Sequence, residues 1–177
     1  LARAMESVLS QENPPAWEWI IVNDAGDPGE VRRVLQPATH RAHDQVQIID
    51  IDESRGMEHA SNTGIRQATG ACLVIHDDDD SWEPAFLRKM SDWLDKPDHR
   101  EYAGVVCHSV RIVEEITGQR IEEHFRHSFN RDLQDLSFWR ILQENPFPPI
   151  SFLFRRTAHE AVGPFDESLP VLGDWEF

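Results

Sequence analysis

The stretch that most constrains the fold is residues 71–84, ACLVIHDDDDSWEP. Residues 71–75 form a continuous apolar run, the pattern of a strand covered on both faces of a sheet. That run leads directly into His76 and four carboxylates, Asp77, Asp78, Asp79 and Asp80. Alternate side chains of an extended segment share a side, so Asp77 and Asp79 are expected to point the same way. Like charges this close raise each other's pKa unless a cation sits among them. An all-oxygen donor set suits Mg²⁺ or Mn²⁺, ions that keep several waters and bridge to phosphates. Ligands of open α/β sheets bind beyond the carboxyl ends of the strands, so this junction reads as a metal–diphosphate site. The competing reading is a solvated acidic turn, with Ser81 as the N-cap of the next helix and Pro84 in its first turn. A calcium EF-hand is excluded, because the sixth residue from Asp77 is Trp82 and the twelfth is Arg88.

The preceding chain builds up to this junction. Residues 2–11 carry apolar side chains at Ala2, Met5, Val8 and Leu9, a helical spacing ended by Asn13-Pro14-Pro15. Residues 17–22 (WEWIIV) read as a strand delivering Asn23, Asp24, Ala25 and Gly26 to its carboxyl end, and Pro28 opens a short helix. Residues 46–51 read as the next strand. Residues 56–69 read as a helix with Met57, Ala60, Gly64 and Ala68 on the face towards the sheet and Gly70 as its C-cap. After the acidic run, residues 84–95 have helical spacing. Strand and helix thus alternate three times, which predicts an α/β fold with a mainly parallel sheet.

Beyond Pro97 the pattern becomes less regular. Residues 103–114 and 120–125 read as a hairpin about Thr117-Gly118, residues 133–144 as a helix, residues 145–149 as a Pro-rich loop and residues 150–154 as a strand. The last stretch reads as acidic loop. His124 and His127, three apart on a strand, face opposite sides and make no zinc pair. Arg155 and Arg156 read as surface ion-pairing residues or as phosphate contacts. Trp139 and the 145–149 loop either shape a cleft or pack the core.

Charge and composition narrow the functions. A net charge of −15 over 177 residues argues against nucleic acid as a partner. It also means that a phosphorylated substrate needs a cation to enter an acidic cleft. No run is long enough to span a membrane, no signal peptide is visible, and Cys72 and Cys107 sit in apolar runs as reduced thiols. These features point to a cytoplasmic enzyme, with membrane association only through parts outside this chain. No Gly-x-Gly-x-x-Gly and no Walker loop occurs.

Three segments, in order and spacing, resemble the family-two inverting glycosyltransferases of the GT-A fold, which use nucleotide-diphosphate sugars. They are SVLSQ with WEWIIVNDAGD, then ESRGMEHASNTGIRQATGACLVIHDDDDSWEP, then FLFRRTAHEAVGPFDESLPVLGDWEF. The resemblance implies nucleotide contacts at Asp24, Arg55, Asp77 and Asp78, with Asp24 at the base. It implies a metal, Mn²⁺ or Mg²⁺, at Asp77 and Asp79, and a general base at Asp174. The donor it implies is a nucleotide-diphosphate sugar, UDP- or dTDP-linked by the carboxylate at Asp24, and the acceptor is a saccharide, lipid-linked or other hydroxyl. The chain departs from the family pattern at Asn23, at Ala25-Gly26, at Ser54 and at Gly173. The expected organisation is a single GT-A-like domain over residues 1–177, truncated at both ends and lacking the family's first strand. Residues 1–96 would be a nucleotide-binding half and residues 97–177 an acceptor-side half. A sugar-phosphate nucleotidyltransferase and a nucleotide-binding module without turnover are the alternative functions.

Overall fold

The computed structural model describes residues 1–118, 120–169 and 172–177. Helix α1 (Ala2–Leu9) precedes strand β1 (Trp19–Asp24), helix α2 (Pro28–Arg41), strand β2 (Val46–Ile51), helix α3 (Met57–Gln67) and strand β3 (Cys72–Leu73). Helix α4 (Phe86–Leu94) leads to strands β4 (Gly104–Val106), β5 (Val110–Thr117) and β6 (Arg120–Ser128). Short helix α5 (Phe138–Ile141), strand β7 (Phe152–Arg155), helix α6 (Arg156–Val162) and helix α7 (Gly173–Glu176) complete the chain.

The α/β alternation is as the sequence predicts, but the parallel pairing is confined to β1 and β2, in register from Trp19↔Val46 to Asp24↔Ile51. The strand that carries the acidic run belongs to a second sheet, ordered β3-β7-β4, in which β7 is antiparallel to both neighbours. The C-terminal half therefore supplies the middle strand beneath the acidic run. Close approach of β4 to β7 is possible because residue 104 is glycine. A Cβ there would lie 2.5 Å from Phe152 and 2.7 Å from the Leu153 carbonyl. Strands β5 and β6 form a separate ribbon, turned at Gly118 with φ +64°.

Side-chain hydrogen bonds move several boundaries away from the periodicity. Helix α2 is longer than expected, capped by Asp27, whose Oδ1 accepts from the Gly29 and Glu30 amides at 2.7 and 3.2 Å. Helix α4 starts after Ala85, close to the start expected at residue 84, and Ser81 does not cap it. Gln11 reaches across to accept the Leu87 N–H at 2.9 Å, while Trp82 stacks on Phe86 and donates to the Ile150 carbonyl. Gly70 does not cap α3, which ends at Ala68. The Gly70 and Thr69 amides instead donate to Glu18 at 2.7 and 2.6 Å. The expected strand over residues 103–114 breaks between Cys107 and Ser109. There the Cys107 amide turns to the Ser151 carbonyl and the Ser109 amide to Asn130. Of the helix expected over residues 133–144 only α5 forms, because the Leu133 carbonyl accepts from His108 instead of serving a helix.

Three apolar clusters hold these layers. Met5, Ile21, Leu35 and Ala38 join α1, β1 and α2. Phe86, Leu87, Met90, Leu94 and Leu153 join α4 to β7. Ile65, Leu73, Phe154 and Phe165 join α3 to the second sheet, with Phe177 packed on them. Cys72 and Cys107 are free thiols, and burial pushes both up in pKa. Among the described residues no helix is long and apolar enough to cross a membrane.

The departure at Asn23 has a structural reason. Its buried amide donates to Asp50 at 2.9 Å and to the Gly26 carbonyl at 3.0 Å, and its Oδ1 accepts the Gly26 amide. An aspartate could make none of these donations and would face Asp50 across the β1–β2 ladder. Asn23→Asp is therefore expected to cost about 1–3 kcal/mol, the usual penalty for stranding buried partners. Denaturant unfolding checks this, and an unchanged midpoint would contradict the role given to Asn23.

Candidate active site

The acidic run is a turn. Strand pairing stops at Leu73, and the Asp80 amide donates to the Asp77 carbonyl at 3.4 Å. The alternation expected of an extended segment does not carry through to Asp79, because the chain turns within the carboxylates, at Asp78 and Asp79. His76 anchors the turn through Nδ1, which donates to the Asp77 carbonyl at 2.7 Å, and its ring meets Trp82 edge-on at 4.4 Å. Burial holds His76 below the ordinary histidine pKa, so the imidazole is neutral at pH 7.

Asp77 and Asp80 are half-buried, while Asp78 and Asp79 are exposed. Burial, and then the negative charges of Asp80, Asp79, Asp174 and Asp78, push the Asp77 carboxyl up to about 6. Asp80 is raised as well, by burial and by Asp79. Asp174, from the far end of the chain, thus lies close enough for its charge to add to the cluster. It stands on α7, where the Asn145 amide donates to its Oδ2 at 3.1 Å. The expected C-terminal loop is a helix at this point.

Asp24 and Arg55 lie at the other side of the site. At the carboxyl end of β1, burial pulls the Asp24 carboxyl upward. Hydrogen bonds from the Ser54 hydroxyl at 2.7 Å and the Arg55 amide at 3.1 Å outweigh it and hold the pKa below the ordinary value. Arg55, Glu58 and Asp174 border one cavity of about 680 Å³, and Asp174 also closes a small apolar hole of about 20 Å³ against Phe154 and Phe177. The structure thus brings Asp77, Asp78, Asp79 and Asp174 together, and places Arg55 with Asp174 on the cavity wall. Asp24 reaches the cavity only through its bonds to Ser54 and Arg55.

Helix α3 contributes residues that hydrophobic periodicity could not flag. It buries Glu58, Asn62 and Ile65, while Met57 of the expected apolar face is exposed. Asn62 exchanges two hydrogen bonds with the Phe165 backbone at 2.9 and 3.0 Å, and Glu58 accepts the Gly173 amide at 3.1 Å. Their signal is spacing: two polar residues at i and i+4 on a helix that otherwise faces the core. Gly64 does lie towards the sheet, where an added Cβ would be in ordinary contact with Val22 at 3.4 Å.

The donor chemistry fits a hard divalent cation. Every available ligand atom in the turn is oxygen, and the raised Asp77 carboxyl records a repulsion that a cation relieves. Among the described residues no three His, Cys, Asp or Glu side chains are grouped so as to enclose a metal by themselves.

This arrangement, an acidic turn after one strand with Asp174 close by, occurs on a fold shared with solved glycosyltransferases of the GT-A class. The mannosyltransferase PcManGT from Pyrobaculum calidifontis, in complex with GDP-Man and Mn²⁺, superposes with a TM-score of 0.62 at 23% identity, over 93% of this chain and 43% of that one. S. aureus TarS in complex with UDP gives 0.62 at 16% identity, over 98% and 48%. Residues 1–163 match Glycosyl transferase family 2, and the chain belongs to that family. Over its whole length it is 28% identical to the uncharacterized glycosyltransferase YwdF of Bacillus subtilis (strain 168), of which it spans 61%. It is 32% identical over 104 residues to the putative glycosyltransferase EpsE of the same organism.

The raised Asp77 carboxyl has a testable consequence for stability. The folded protein holds that proton to higher pH than the unfolded chain does. Stability is therefore lost as pH rises from the ordinary aspartate value through about 6, with the penalty complete above it. Asp77→Asn without added metal is expected to raise the thermal midpoint by a few degrees at about pH 7.5 and to leave it unchanged near pH 4. Equal midpoints at both pH values would contradict the burial and repulsion assigned to Asp77.

Proposed function

We propose that this chain carries the donor site and the base of an inverting glycosyltransferase, transferring a sugar from a nucleotide diphosphate to an acceptor hydroxyl. The observation that carries the reading is the meeting of the 77–80 turn with Asp174 beside the cavity. Residues 1–96 supply the nucleotide side and residues 97–177 the acceptor side, although β7, from the second half, lies between β3 and β4 in the second sheet. Asp77 and Asp79 would hold Mn²⁺ or Mg²⁺, with diphosphate and water completing its shell. Bound there, the ion neutralises charge on the departing diphosphate as a Lewis acid.

The chain's own groups do the rest. Asp24 keeps acceptor capacity beyond its bonds to the Ser54 hydroxyl and the Arg55 and Gly56 amides, and can accept the imide N–H of uracil or thymine. This favours a UDP- or dTDP-sugar over an adenine nucleotide. Arg55 and Asp78 stand by for the ribose and phosphates. The acceptor oxygen attacks the anomeric carbon opposite the diphosphate, the sugar–diphosphate bond breaks with its electron pair on oxygen, and the acceptor proton passes to Asp174. Asn145 holds the Asp174 carboxylate for that transfer.

Two variants of the full-length protein test the assignment. Asp79→Ala is expected to abolish Mn²⁺-dependent UDP binding in calorimetry. Asp174→Asn is expected to keep that binding while transfer falls by about 10²–10⁴-fold, the usual contribution of a general base. Unchanged Mn²⁺-dependent binding in the first variant, or near-normal transfer in the second, would overturn the corresponding role. Tight UDP binding with no transfer by the wild type would instead mark a binding module.

A further inference from the structure

We propose that Glu58 is the positioning residue for Asp174: its buried carboxylate, seated against Gly173, fixes α7 and thereby aims Asp174 at the cavity. The proposal rests on Asp174 being the base. Glu58 is only 8% exposed, an unusual state for a glutamate unless it is hydrogen-bonded. Its Oε1 accepts the Gly173 N–H at 3.1 Å, one residue before Asp174. The fit leaves no room between them, since a Cβ at residue 173 would lie 2.4 Å from Glu58 Cγ and 2.5 Å from Oε1. Glycine is needed at 173 because Glu58 occupies the space of its side chain.

The rest of the geometry makes this contact decisive for orientation. Leu172, immediately before, takes a left-handed conformation with φ +65°, so the chain turns abruptly into α7. Helix α7 is a single turn of four residues, closed by the Trp175, Glu176 and Phe177 amides on the Leu172 and Gly173 carbonyls. It is tied outward by Trp175 Nε1 to the Ile141 carbonyl at 2.6 Å, so its aim depends on how its first residue is seated. Elsewhere α3 grips the same segment by backbone contacts at Phe165 through Asn62, and by His59 to Glu167 at 2.8 Å. Those bonds anchor the segment's beginning. Among the described residues, the Glu58–Gly173 bond is the one side-chain hydrogen bond from α3 that reaches the turn bearing Asp174. Glu58 and Asp174 border the same cavity, so a shift of α7 moves the base relative to whatever the cavity holds.

The bond needs an acceptor oxygen, which glutamine supplies and alanine does not. In the full-length protein, Glu58→Ala is expected to speed exchange of the Gly173 amide proton by at least about tenfold, read by NMR on ¹⁵N-glycine-labelled protein. It is expected to lower kcat by about 10²-fold, the scale of an ångström-sized misplacement, with the donor KM within about twofold. Glu58→Gln should restore amide protection and keep kcat within about threefold of the wild type. Gly173→Ala should also lower kcat, and should cost nothing further in a Glu58→Ala background, where the clash partner is gone. Unchanged Gly173 exchange in Glu58→Ala, or a Gln variant as impaired as the Ala variant, would overturn the proposal. If Glu58→Ala does not fold, full activity in Gly173→Ala overturns it instead. Failure of the base assignment looks different: Asp174→Asn would transfer sugar normally while the Gly173 amide still responded to Glu58.

Discussion

The structure depends on keeping together carboxylates that would separate in water. Asp77 sits half-buried with Asp78, Asp79, Asp80 and Asp174 around it, and pays for this with a carboxyl pushed up to about 6. Coulomb repulsion falls slowly where solvent is excluded, so the fold must hold the cluster by other means. On one side the 77–80 turn is pinned by His76, Trp82 and Phe86 and by the Ile150 carbonyl. On the other, α7 is pinned by Glu58, by Asn145 and by Phe177 on the Phe154–Phe165 cluster. In the proposed function a cation would offset the burial and repulsion that raise the Asp77 carboxyl.

The two sides come from distant parts of the chain, and the second sheet joins them. Strand β7 belongs to the C-terminal half yet pairs directly with β3, which leads into the acidic turn. Side chains of α3 then reach across to residues 165–173. Helix α3 and the segment that bears Asp174 are consequently packed together, and a disturbance at α3 reaches Asp174 without passing through the acidic turn.

Much of this was legible in the sequence, for different reasons in different places. The apolar run before Asp77, strand β2, and the α3–β3 succession follow from periodicity, and the family follows from the spacing of three motifs. The acidic residues of the site were visible because four carboxylates after a buried strand are rare chemistry. What was not legible depended on side chains bonding to distant backbone. Gln11 rather than Ser81 serves the start of α4, Asn130 breaks the strand near residue 108, and His108 takes the Leu133 carbonyl from the helix expected there. Glu58 and Asn62 of α3 carry no apolar signal and so stand outside the predicted sheet face, although hydrogen bonds bury them. The antiparallel place of β7 is likewise a matter of tertiary pairing, since a short apolar run does not declare its neighbours.

The most direct measurement is a crystal structure of the full-length protein grown with UDP and Mn²⁺, with anomalous data collected at the manganese edge. The account expects one anomalous peak within coordination distance of the 77–80 carboxylates and the diphosphate, with Asp174 facing the same space from α7. A nucleotide bound with its metal away from that turn, or Asp174 turned out of the cavity in the liganded protein, would contradict it.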